Sequence, residues 1–204
     1  MARAISGFLT SPAKTFAVCG LLAILATPAR ADEPAPAAGE DTNGAFLIGL
    51  FNQACLPNRG NAEKVHAFAE GHQFAPIHNP AALDVFVGPG DKGMAWQVPS
   101  PTHQHFALSI RGTTEACVVW AQTADAAFVE AAFVKEVEAI AKPGIEIRKN
   151  PEETADTPVG KAKTITYLVL TADTKKGFAF SLTTAERAGG PFQASIQIAK
   201  VAAE

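Results

Sequence analysis

The sequence lacks the residue groupings that mark most catalytic centres. It has no H-E-x-x-H pattern, no G-x-S-x-G elbow and no Walker loop, so there is no ground for a zincin, an α/β-hydrolase or a P-loop nucleotidase. Paired C-x-x-C motifs are missing too, which excludes the usual cysteine cage for structural zinc. No apolar run approaches the roughly 20 residues that cross a bilayer, and neither a transmembrane anchor nor an apolar C-terminal tail is expected. Positive charge is scarce: 17 Lys and Arg stand against 20 Asp and Glu, with no polybasic stretch. Nucleic acid and anionic lipid surfaces are therefore not expected as partners.

What is present begins with an export signal over residues 1–31. Arg3 and Lys14 precede the apolar run from Phe16 to Ala26, and Ala29-Arg30-Ala31 is a small-x-small cleavage site, so the mature chain is expected to start at Asp32. Cys19 sits early in the apolar run behind Val18, where a lipobox would place a small residue, and lipidation is not expected. The signal indicates a periplasmic or secreted protein with no stable membrane insertion after cleavage. Its removal takes three basic residues and no acidic ones, moving the formal charge from −3 to about −6.

Cleavage also removes Cys19 and leaves Cys55 and Cys117. In an oxidising compartment two remaining cysteines are read as one disulfide. A nucleophilic thiol is the poorer reading, because Gln53-Ala-Cys-Leu-Pro57 lacks the local context of a cysteine protease.

Residues 32–41, rich in Pro, Ala and acidic side chains, read as a flexible leader, and 42–204 as one domain. Thr42 or Asn43 is placed to cap a helix over 44–55 that is apolar on most faces and must be buried. A second helix is expected over 62–70, with Val65, Phe68 and Ala69 on one side and Gly71 as its stop, and a short helical turn after Asn79-Pro80. Gly88-Pro-Gly-Asp-Lys-Gly93 spells G-x-G-x-x-G, but Met94 to Val98 after it reads as a strand, whereas a dinucleotide loop needs a helix there. It is a turn. Strands follow over 94–98, 105–111 and 115–122, with Trp96, Phe106, Ile110, Val118 and Trp120 as core. A helix over 124–141 capped by Thr123, an edge strand over 145–148, a polar loop over 149–160 and strands over 161–172, 177–185 and 192–201 complete the chain. This order gives an α+β domain, mainly antiparallel sheet covered on one face by helices. The disulfide requires the end of the first helix to neighbour the strand that starts at Glu115.

All five histidines fall between His66 and His105. His103 and His105 are two apart, which on a strand puts both rings on one face, and His72 or His78 could complete a zinc or copper set. Pro101 makes a loop at His103 an equal alternative. Glu136 with Glu138, and Glu152 with Glu153 and Asp156, are carboxylate clusters on a polar helix side and in a loop, and read as solvated surface. Arg59, in the turn between the first two helices, could meet an anion together with backbone amides of the next helix start.

Phe51-Asn-Gln-Ala-Cys-Leu-Pro57 and Ala116-Cys-Val-Val-Trp120, behind an export signal, resemble a family of small exported proteins and lipoproteins of proteobacteria with no assigned activity. The resemblance implies export and the disulfide and carries over no catalytic residue; the chain departs from the lipoprotein members in having no lipobox. The expected function is a non-enzymatic binding or interaction module with no cofactor and with an envelope protein as a possible partner. A histidine-dependent metal-binding protein or metal-dependent hydrolase is the alternative. Mass spectrometry of protein purified from periplasm is expected to give a chain starting at Asp32 and about two daltons light; a mass retaining residues 1–31 would overturn the cleavage.

Overall fold

The computed structural model describes residues 41–157, 160–186 and 190–202. The export signal, the Ala31–Asp32 cleavage site and the leader up to residue 40 lie outside the described residues.

The first helix, α1 (Thr42–Leu50), runs directly into a π-helical turn, Phe51–Cys55. Its residues are apolar on nearly every side, so it is stable only when packed: Leu47 and Leu50 are buried. Gly44 lets it approach α4 (Ala126–Glu138), since a Cβ there would lie 2.6 Å from the Phe128 ring. In the π turn the Leu56 N–H donates to Phe51 O, and the widened turn buries Phe51, Ala54 and Cys55 together. α2 (Ala62–Gly71) buries Val65 and Ala69, and α4 buries Val129, Phe133 and Val137, one per turn on a single stripe.

Among the described residues the sheet has nine strands, all paired antiparallel. They are β1 (Ala75–Pro76), β2 (Met94–Val98), β3 (Phe106–Ile110), β4 (Cys117–Ala121), β5 (Ile145–Lys149), β6 (Glu153–Thr157), β7 (Gly160–Thr171), β8 (Lys176–Ala185) and β9 (Ala194–Ala202). Their order is β1-β2-β3-β4-β9-β8-β7-β5, with β6 also on β7. The fold is therefore α+β and mainly sheet. Period-two alternation sends Trp96, Phe106, Leu108, Val119, Phe180 and Ile196 to the face covered by α1, α2 and α4, where they form the main core.

Cys55 and Cys117 form the disulfide, with Cα atoms 5.5 Å apart and a sequence separation of 62. The bridge fastens the π turn to β4, which lies in the interior of the sheet between β3 and β9. In the chain-entropy treatment, closing a loop of this length is worth about 4 kcal/mol.

The structure departs from the sequence expectations in three places. Asp41, assigned to the leader, is the cap of α1: its carboxylate accepts from the N–H groups of Asn43 (3.1 Å) and Gly44 (2.9 Å), and also from that of Asp125 (2.6 Å). Asp125 in turn caps α4 through the Phe128 N–H. A carboxylate serves two helix starts at once because it carries two acceptor oxygens and a full negative charge, which the single hydroxyl of Thr42 or Thr123 does not. Thr123 instead joins a side-chain network, accepting from Asn43 Nδ2 and donating to Gln104. The turn after Asn79 is a two-turn helix, α3 (Pro80–Val87), capped by Asn79. It lies on the opposite face from the other three, where Phe86 and Val87 pack with Ala95, Ala107, Trp120 and Phe192, so helical cover is not confined to one face. Finally, β6 forms inside the expected polar loop. The twelve-residue β7 offers more edge than β5 takes up: β5 pairs with its Tyr167–Thr171 part and β6 with its Gly160–Thr164 part.

Replacing Asp41 by Ala is expected to lower stability by about 1–2 kcal/mol through loss of the α1 cap and of the bond that joins it to the Asp125 N–H. A urea midpoint unchanged from wild type would show that the carboxylate does not hold α1 to α4.

Candidate functional site

The histidines do not converge. His103 lies in a turn with φ 58°, its N–H on Ser100 O (3.3 Å), and β3 begins only at Phe106. His103 and His105 therefore precede the strand instead of sharing one of its faces, because Pro101 and the bonded Ser100–Thr102 pair turn the chain there. His72 caps α2, and its ring packs on Phe68 and Phe74 with Nδ1 2.9 Å from Phe68 O. His78 lines a separate hollow beside His66 and Trp96. Among the described residues no three His, Cys, Asp or Glu side chains form a group that could hold a metal ion.

The carboxylate clusters are surface ion pairs or solvated groups. Glu152 lies 2.8 Å from Lys149, whose hydrogen bond and charge hold its carboxyl below the ordinary value, and Asp156 lies 3.4 Å from Lys161. Glu138 is exposed and Glu136 partly so. The Gly88–Gly93 loop runs into β2, not into a helix, and its aspartate is structural. Asp91 accepts from the Thr113 hydroxyl and from the Gly112 and Thr113 N–H groups, stapling this loop to the β3–β4 turn.

The feature that gathers polar groups around an unfilled space is a cleft of about 450 Å³, within the range of roughly 300–1,000 Å³ seen for small-molecule sites. One wall is the π turn and the residues after it: Asn52, Leu56, Pro57 and Arg59. The opposite wall is the chain leaving α4 and entering β5, with Ile140, Lys142 and Ile145. The floor is sheet: Val169 of β7, Phe178 and Phe180 of β8 and Ile198 of β9, with Lys176 at the start of β8 closing the rim. Phe180 and Ile198 belong to the main core, so the floor is held rigidly by the packing that holds the fold.

Arg59 owes its place to its neighbour. Gly60 has φ 69°, and a Cβ on it would lie 2.2 Å from Glu115 O, so the turn is pressed against the entry to β4 and only glycine fits. Arg59 is itself left-handed, φ 49°, and its guanidinium carbon lies 6.0 Å from the centre of the Phe178 ring, a cation–π arrangement. The α2 start next to it is occupied by its own cap, Asn61 accepting from the Lys64 N–H. Arg59 thus addresses the cleft, not the helix amides that the sequence suggested.

Three cations, Arg59, Lys142 and Lys176, ring this cleft. No acidic residue lines it, and among the described residues none of the three has a carboxylate in ion-pair range. The Oδ1 of Asn52 is shut off from solvent and has no hydrogen-bond partner among the described residues. Of this group, sequence reasoning singled out Arg59 alone. Lys142 and Lys176 carry no motif and are 83 and 117 positions away from it; sheet topology, not spacing, brings them together.

No family model matches the chain, and no curated protein matches it. The site therefore rests on its own geometry.

The Asp91 staple has a pH signature. The Thr113 hydroxyl, then the Gly112 and Thr113 amides, hold the Asp91 carboxyl below the ordinary carboxylate value. Its contribution to stability is thus complete above the unfolded-state value, about 4, and is lost as pH falls through the lower folded value. Asp91→Asn is expected to be less stable than wild type at pH 7, with the gap closing below about pH 4; a gap that stayed constant on acidification would refute the staple.

Proposed function

We propose that this protein is an exported, non-enzymatic binding module that holds a small, largely apolar ligand in the cleft between the π turn, the end of α4 and the β7–β8–β9 floor. The observation that carries the reading is the cleft itself: an apolar floor continuous with the core, open to solvent, with three cations and no carboxylate among its lining residues. Its lining contains no histidine, cysteine, serine or carboxylate, and its one hydroxyl, that of Thr171, donates to Lys176 O (2.8 Å), so no nucleophile is paired with a base there.

The compartment is read as the periplasm or the cell exterior. The export signal supports it, and so does the disulfide, which persists in oxidising surroundings. Among the described residues no helix is long and apolar enough to cross a membrane.

The test uses the neutral fluorophore N-phenyl-1-naphthylamine. Titration into the folded protein is expected to give a saturable, single-site rise in fluorescence. Ile140→Glu, which sets a charge in the wall, is expected to abolish it while the circular dichroism and unfolding midpoint stay near those of wild type. Folded wild-type protein that gave only a linear, non-saturating response would overturn the proposal, as would an Ile140→Glu variant that bound as well as wild type.

A further inference from the structure

The cleft combines an apolar interior with a positively charged mouth, and that combination narrows its ligand. We infer that the ligand is an amphiphilic anion, an apolar body on Phe178, Phe180 and Val169 with a carboxylate, phosphate or sulfate head between Arg59, Lys142 and Lys176. This rests on the cleft being the binding site.

Electrostatics is the first argument. The protein is net negative, with 17 basic against 20 acidic residues, yet three basic side chains ring one hollow that no acidic residue enters. The other lysine ion pairs of the described surface join Lys149, Lys161, Lys163, Lys175 and Lys200 to carboxylates. Lys142 lies just past the end of α4, where the helix dipole favours a cation, but the dipole gives no reason for Arg59 or Lys176. All three are exposed, and among the described residues none meets a carboxylate, so each is free to turn to a ligand in the hollow. An anionic head accepts charge-assisted hydrogen bonds from them, which Arg presents as a planar fork.

Backbone conformation is the second argument. At φ 49° glycine is free of the steric cost that an L side chain pays, on the order of 1–2 kcal/mol. Position 59 nevertheless carries arginine, one of five non-glycine residues with positive φ among the described residues, and its guanidinium carbon lies 6.0 Å from the centre of the Phe178 ring in the cleft. A membrane surface is the poorer partner for this chemistry, because it requires a broad positive face that a net-negative protein with one small basic rim does not offer.

Isothermal titration of the full mature protein with decanoate, decyl phosphate and decanol, each below its micelle concentration, tests the head group. Both anions are expected to bind about tenfold or more tightly than decanol, the equivalent of one good charge-assisted contact, and to weaken as salt is raised. Arg59→Gly is expected to fold at least as stably as wild type, because it relieves the left-handed strain, yet to bind the anions no better than decanol. Lys142→Gln combined with Lys176→Gln is expected to act in the same direction. Decanol binding as tightly as decanoate would overturn the anion and leave the apolar cleft standing. Failure of all three compounds to bind would overturn both.

Discussion

The bond between Cys55 and Cys117 is the constraint on which the rest of the molecule hangs. It ties a helical segment that is apolar on nearly every side to an interior strand of the sheet, and so fixes how the helical layer sits on the strands. The π turn is part of the same arrangement: its wider winding lets Phe51, Ala54 and Cys55 share one buried side. Just beyond the bridge, Gly60 presses against the entry to β4, leaving Arg59 no freedom over where it emerges. One wall of the cleft is thus held covalently and sterically, not by loop packing alone.

The other end of the helical layer is held by charge. The Asp41 carboxylate closes the starts of α1 and α4 together, and close packing at Gly44 brings the two helices into contact behind it. α4 is therefore fixed at its N-terminus, while its C-terminal end runs out over the cleft and supplies Ile140 and Lys142. The two clamps lie at opposite ends of α1, and the hollow opens between the clamped π turn and the C-terminal end of α4. That is where a binding surface is economical: no core packing is given up to create it, and the floor beneath remains sheet.

Much of the architecture is legible in the sequence because hydrophobic periodicity reports burial. Phe178, Phe180 and Leu182 alternate, Val129, Phe133 and Val137 recur by the turn, and both patterns place strands and helices where they are found. The disulfide followed from counting cysteines. Capping is legible only in part, for a reason that pattern cannot supply: Asp41 answers both to its own helix and to Asp125, 84 positions away. β6 was missed because Glu153 and Asp156 look like loop residues, and only the unclaimed edge of β7 makes a strand of them. The histidine window misled because proximity in sequence is not convergence in space; a turn at Ser100–His103 ends the strand geometry that the spacing assumed. The cleft was the least legible part, since its three cations come from three separate crossings of the chain.

The two borders of the sheet share a property that bears on how the protein behaves when concentrated. At one border β1 is two residues long and ends in Pro76, which has no N–H to offer a further strand. At the other, the edge of β7 is covered by two short strands laid end to end, with Glu146, Arg148 and Lys149 on one and Glu153 and Asp156 on the other. Neither border presents a long, regular row of free amides and carbonyls to another molecule. A nine-stranded open sheet would ordinarily invite fibrillar growth through its edges; here that route is closed at both borders, so crowding with copies of this chain does not drive strand-to-strand stacking.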